Sequence, residues 1–104
     1  MSAEAFENHQ PTEFRVTFCE NCDGGEQEES TAVNSIKQVF PNIPIKTHCL
    51  DEYPIEVNIF VKLSNNEERL IWKSHQRNLF RKYPELRDES IRQIVKICKD
   101  LINQ

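Results

Sequence analysis

Glycine is scarce in this chain of 104 residues, and its only two copies stand together as Gly24 and Gly25. Glycine allows backbone conformations that other residues avoid, so this pair predicts one sharp turn. The first thirteen residues carry three glutamates and no apolar run, so we expect neither a signal peptide nor a membrane anchor. No internal repeat or low-complexity segment is present. The chain is therefore predicted to form a single domain, residues 13–104, after a flexible tail, residues 1–12.

An excess of charge of one sign is also lacking, since the net charge is only −4. Negatively and positively charged residues are separated along the chain, however. Residues 1–31 hold eight acids and one base, whereas residues 73–99 hold eight bases and three acids. The separation indicates a solvated surface or internal pairing rather than attraction of an acidic partner. Because the net charge is negative and no nucleic-acid-binding motif is present, we expect no nucleic-acid partner.

Four cysteines are present, and two of them, Cys19 and Cys22, are separated by two residues. They follow an alternating run from Phe14 to Phe18 that is typical of a half-buried strand. Helical spacing begins after the glycine pair, so the cysteines are predicted in a strand-to-helix turn, where thiols are partly exposed and a helix start favours the thiolate. The irregular cysteine spacing is unlike that of a secreted disulfide scaffold. We therefore expect a cytoplasmic protein with a redox-active or metal-binding cysteine pair.

Two helices are predicted from apolar residues at helical spacing. The first follows an acidic linker, residues 25–31, and is capped by Ser30 or Thr31. The second follows a basic, irregular loop, residues 74–86, and is capped by Asp88.

Three further strands are predicted. Residues 43–50 form an extended run, in which Pro44 favours a position at the edge of a sheet. Residues 55–61 alternate between apolar and polar side chains, and a polar turn joins them to residues 69–73 as a hairpin. The order β-α-β-β-β-α predicts an α/β (α+β) domain, in which a four-stranded mixed sheet packs against two helices.

This order, with a Cys-x-x-Cys at the end of the first strand, resembles the thioredoxin-like fold and, within it, the selenoprotein W-like (Rdx) family. The resemblance covers the chain from Phe14 to about Ile102. It depends on the run from Val16 to Cys22, on Phe40-Pro41 at the end of the first helix, and on Tyr53-Pro54 where the family has Thr-Pro. Members of the family often carry selenocysteine at the second position of the cysteine motif. With cysteine at that position, this chain is similar to a cysteine-containing homologue.

The resemblance implies a thiol-disulfide oxidoreductase that acts on protein partners or with glutathione as a co-substrate. One thiolate attacks a disulfide and a second thiol resolves the intermediate. We predict that Cys19 attacks, because we expect it to be the more exposed, and that Cys22 resolves. Acidic neighbours oppose the thiolate, so a reducing rather than a strongly oxidising disulfide is expected. Tyr53 and Pro54 are implied as substrate-binding residues, because a cis-proline faces the dithiol in thioredoxin-like folds.

Two other functions are compatible with these residues. A non-catalytic module could use the basic loop and the second helix to bind a protein. A zinc site could combine the cysteine pair with His48 and Cys49, but neighbouring residues on a strand point to opposite faces, so no metal or other resident cofactor is expected. Cys98 is predicted to be a small buried residue of the core. Cys49 is predicted to be a buried strand residue, and the alternative is an accessory thiol for glutathione.

Overall fold

The computed structural model describes residues 10–19, 26–50 and 56–102. Its elements follow the chain as β1 (Pro11–Cys19), α1 (Glu26–Lys37), β2 (Ile45–Leu50), β3 (Glu56–Leu63), β4 (Glu68–His75), a short 3-10 helix (Gln76–Leu79) and α2 (Pro84–Ile102). The β-α-β-β-β-α order that the sequence predicts is confirmed. No helix within the described ranges combines the length and the apolar character that crossing a membrane would need.

The four strands form one mixed sheet in the order β2-β1-β3-β4. β1 and β2 are parallel, whereas β3 is antiparallel to both β1 and β4. Because β2 has only one neighbour, it is an edge strand, as Pro44 predicts. β1 begins at Pro11, so the last two residues of the segment predicted as a tail belong to the sheet. The sheet is therefore the predicted mixed sheet, with β1 and β3 at its centre.

One face of the sheet carries the hydrophobic core. The alternating apolar side chains of β1 and β3 pack there against residues from both helices. α1 contributes Ala32 and Ile36, and α2 contributes Ile94, Cys98 and Leu101. Both helices therefore lie on the same face of the sheet, because their apolar residues belong to one cluster.

Side chains alternate along a strand, so the intervening residues of β1 and β3 lie on the opposite face. The guanidinium carbon of Arg15 lies 4.1 Å from the centre of the Phe60 ring. Its nitrogens donate two hydrogen bonds, of 3.0 and 2.9 Å, to the carboxylate of Glu68, and these hold the pKa of Glu68 below its usual range. Asn58 Nδ2 donates to Thr17 Oγ1 at 3.2 Å. Polar contacts thus connect three neighbouring strands on this face.

Both helices begin earlier than the sequence predicts. α1 begins at Glu26 rather than at a cap formed by Ser30 or Thr31, because three glutamates in its first turn stabilise the amino end of a helix. Thr31 lies inside α1, and its hydroxyl donates to the carbonyl oxygen four residues earlier at 2.9 Å. α2 begins at Pro84 rather than at Asp88, because proline suits the first turn, where its missing N–H is not needed.

Candidate functional site

One end of the sheet collects residues that are far apart in the sequence. β1 and β2 finish there, with Cys19 beside Leu50. β3 is antiparallel to β1, so it begins at this end, where Glu56 pairs with His75 at the end of β4. We call this the cysteine end of the sheet. The topology therefore brings Cys19 close to the point at which the chain leaves β4.

Cys19 is the last residue of β1, and it is buried, with 1% of its surface exposed. The sequence predicts a partly exposed thiol at this position, and for Cys19 that prediction is wrong. Alternation along β1 places its side chain on the face opposite to Phe18, which belongs to the core. A thiol buried to this extent is poorly placed to make the first attack on a bulky disulfide.

Cys22, Tyr53 and Pro54 lie outside the described residues, as do the two glycines of the predicted turn. The roles assigned to them from the sequence and from the family resemblance stay predictions. The described chain resumes at Glu26, the first residue of α1. What the structure contributes to the cysteine motif is therefore the position of Cys19 and the start of the following helix.

Cys49 of β2 is exposed, so its predicted burial is wrong. As an edge strand, β2 is covered by β1 on one side only. Cys49 pairs in register with Phe18, whereas His48 pairs with Thr17, and adjacent residues of β1 point to opposite faces. His48 and Cys49 therefore point away from each other, which argues against the zinc site. Across the described parts of the chain, no three metal-binding side chains come together.

Cys98 lies on the inner face of α2 and has none of its surface exposed, so its predicted burial is confirmed. Burial raises the pKa of this thiol to about 12, because the apolar surroundings disfavour the charged thiolate. The thiolate is the reactive form of cysteine. Cys98 should therefore be chemically inert in the folded protein.

In the reduced and folded protein, iodoacetamide is expected to alkylate Cys49 well before Cys98 at neutral pH. The Cys49 thiol is exposed, whereas the Cys98 thiol is buried and is not ionised at this pH. We therefore expect the alkylation rate of Cys98 to be roughly 100-fold lower than that of Cys49. Time-resolved alkylation with peptide mass spectrometry measures both rates. In denaturant the two cysteines should react at similar rates, which serves as the control. Equal rates in the folded protein would contradict the described burial.

The chain segment after β4, residues 76–83, lies at the cysteine end and is called the basic segment. Its Leu79 is fully buried in the core. Thr31 Oγ1 of α1 lies 3.4 Å from the Leu79 carbonyl oxygen, which is the weaker acceptor of a hydroxyl hydrogen shared with the carbonyl oxygen inside α1. The Asn78 carbonyl oxygen accepts a hydrogen bond from Ser90 Oγ of α2 at 3.0 Å. Contacts to both helices thus hold the middle of this segment in place.

The two ends of the basic segment are held as well. His75 Nδ1 accepts a hydrogen bond from the backbone N–H of Arg77 at 3.1 Å. Gln27 Oε1 of α1 accepts one from the backbone N–H of Arg81. The sequence predicts an irregular loop here, because Leu79, Phe80 and Tyr83 stand among bases without a periodic pattern. The prediction is wrong in that the segment contains a 3-10 helix and is anchored to α1 and α2.

Together these features define an α+β domain with a mixed four-stranded sheet and a cysteine at the carboxyl end of its first strand. Comparison with protein-family models and with curated proteins found no match to this chain. The likeness to the selenoprotein W-like family therefore depends on the sequence motifs and stays a prediction.

Proposed function

We propose that this protein carries out thiol–disulfide exchange through Cys19 and Cys22, with protein partners or glutathione as its substrates. The observation that supports this most is the position of Cys19 at the end of β1, in a β-α-β unit whose helix α1 follows the motif. A Cys-x-x-Cys at this position is the typical dithiol arrangement of thioredoxin-like redox proteins.

The exchange takes two steps. A thiolate of the pair attacks a substrate disulfide, so that a mixed disulfide forms and the other substrate sulfur leaves as a thiolate. The second cysteine then attacks the mixed disulfide, which releases the reduced substrate and joins Cys19 to Cys22. Two glutathione molecules, or a dithiol partner, return the pair to its reduced form and are themselves oxidised.

The burial of Cys19 bears on which thiol attacks first. The sequence assigns the first attack to Cys19, on the expectation that this thiol is exposed. With 1% of its surface exposed, Cys19 is better suited to the second step, because a resolving thiol has only to reach a sulfur in its own motif. We therefore assign the first attack to Cys22 and the resolving step to Cys19.

A redox titration tests the proposed function. The protein is equilibrated with glutathione buffers of increasing oxidation, its thiols are alkylated, and its peptides are analysed by mass spectrometry. We expect a reversible two-electron transition that joins Cys19 to Cys22, at a potential far more negative than the roughly −120 mV of strongly oxidising oxidoreductases, since the sequence predicts a reducing disulfide.

The Cys49→Ser variant is the matched control for this titration, because the exposed Cys49 can itself form a mixed disulfide with glutathione. Its Cys19–Cys22 transition should be the same as that of the parent protein. The proposed function is overturned if both thiols of the pair stay reduced across the whole series.

A protein-binding module without exchange activity is the second candidate. The observation in its favour is the basic segment, whose backbone is anchored to α1 and α2 rather than left irregular. A module of this kind would bind its partner equally well after both Cys19 and Cys22 are replaced by serine, and it would show no redox transition in the titration.

A further inference from the structure

Three cations of the basic segment face solvent. Arg77, Arg81 and Lys82 are exposed, and none of them takes part in an ion pair within residues 10–19, 26–50 and 56–102. A base just before the segment behaves differently, since Lys73 lies 3.6 Å from the carboxylate of Glu56. The sequence favours a solvated or internally paired surface for these bases. In the described structure the three cations are solvated, so their charge is available to a partner.

Two large apolar side chains lie next to these cations. Tyr83 is 38% exposed, and Leu86 in the first turn of α2 is 45% exposed. Lys82 Nζ lies 5.8 Å from the centre of the Tyr83 ring. A concavity of about 310 Å³ is lined by residues 82–86, that is, by Lys82, Tyr83, Pro84, Glu85 and Leu86. Exposed aromatic and aliphatic side chains beside arginine are typical of protein–protein interfaces.

A second groove connects the basic segment with the amino end of α1. It has a volume of about 500 Å³ and is lined by Arg81 together with Glu26, Gln27 and Ser30. α1 follows the cysteine motif in the sequence, and the basic segment begins at the cysteine end of the sheet. A peptide bound over Arg81 would therefore extend toward the part of the molecule that carries the dithiol.

We propose that the basic segment, together with Tyr83 and Leu86, is a docking surface for an acidic segment of a protein, in which an apolar side chain stands between carboxylates. The carboxylates would pair with the exposed cations, and the apolar side chain would enter the concavity beside Tyr83. The anchored backbone lowers the cost of ordering on binding. That this surface serves a disulfide substrate depends on the proposed function, whereas the binding itself does not.

Charge distribution favours an acidic peptide over a nucleic acid. The protein has a net charge of −4. The first turns of α2 carry three acidic residues: Glu85, which itself lines the concavity, and Asp88 and Glu89. These carboxylates would repel a long, evenly charged polyanion. A short peptide can place its carboxylates at the cations alone.

The test measures binding of a fluorescein-labelled peptide of alternating glutamates with one leucine and one phenylalanine at its centre, by fluorescence anisotropy with the full chain. The Arg81→Glu variant is expected to weaken binding by about tenfold or more, because it replaces an attraction by a repulsion. Leu86→Ser is expected to weaken it by roughly fivefold through loss of apolar contact. A glutamine version of the peptide should bind at least about tenfold more weakly than the acidic one.

Lys99→Glu is the matched control, because it makes the same charge change at an exposed base near the other end of α2. It should alter peptide binding by less than about twofold, and circular dichroism should show that all three variants are folded. Equal losses for Arg81→Glu and Lys99→Glu would overturn the proposal, because they would indicate only general electrostatic attraction. Tighter binding of a single-stranded RNA of equal length, or no peptide binding by the parent protein, would also overturn it.

The double variant Cys19→Ser/Cys22→Ser separates this inference from the proposed function. It should bind the acidic peptide as the parent protein does. If the parent protein binds the peptide but shows no redox transition, the proposed function is overturned and the docking surface stands. A normal redox transition without peptide binding would overturn the docking surface alone.

Discussion

Serine at position 22 is expected to lower the rate of thiol–disulfide exchange by about a thousandfold or more, because a serine hydroxyl does not ionise near neutral pH and cannot replace an attacking thiolate. Because glutathione can still attack the mixed disulfide, serine at position 19 should slow turnover without stopping it. This substitution acts differently from the first. It leaves the attacking thiol in place and removes the thiol that resolves the intermediate. The Cys19→Ser variant is therefore expected to accumulate a mixed disulfide with glutathione, whereas Cys22→Ser is not.

Turnover is measured as reduction of a disulfide-bonded peptide by glutathione, and the mixed disulfide is detected as an added glutathione mass. All variants are made in a Cys49→Ser background, because the exposed Cys49 could otherwise carry the same mass. That background protein by itself should keep full activity. If the mixed disulfide formed in the Cys22→Ser variant and not in the Cys19→Ser variant, Cys19 would be the thiol that attacks first. Full activity in both serine variants would contradict the proposed function.

The Phe14→Ala variant is expected to lower the free energy of unfolding by about 3–5 kcal/mol, a large part of the roughly 5–15 kcal/mol typical of a small domain. Phe14 lies on a central strand and is fully buried. It pairs with Ile45 on one side and with Val61 on the other, and its ring centre lies 5.4 Å from that of Phe40. Removing the ring leaves a cavity that Ile45 and Val61, held by the sheet, cannot close.

Urea denaturation followed by Trp72 fluorescence measures this loss, because Trp72 is buried in the same core and should become exposed on unfolding. Phe60→Ala is the matched control. Phe60 lies on the opposite face of the sheet, where one side of its ring contacts Arg15 and the residue is only partly buried. Its loss should cost about 1–2 kcal/mol. Equal losses in the two variants would contradict the assignment of the core to one face.

The strands and the buried face could be predicted from the sequence, because they follow from local alternation. Phe14 and Val61 stand in runs with a period of two residues, and such runs specify both a strand and the side that is buried. The starts of the helices could not be predicted in the same way. Glutamates such as Glu26 suit a solvated linker as well as a first helical turn, and Pro84 suits a loop as well as a helix start.

For the candidate site, the sequence by itself determined the cysteine spacing, the strand that leads to it and the order of the elements, because these depend on neighbouring residues. Only the tertiary structure decided that Cys19 is buried, that Cys49 is exposed and that the basic segment is anchored. The exposure of a side chain depends on which elements cover it, and those come from distant parts of the chain. Thr31 and Ser90, for example, hold the basic segment by hydrogen bonds that cross 48 and 12 residues of sequence.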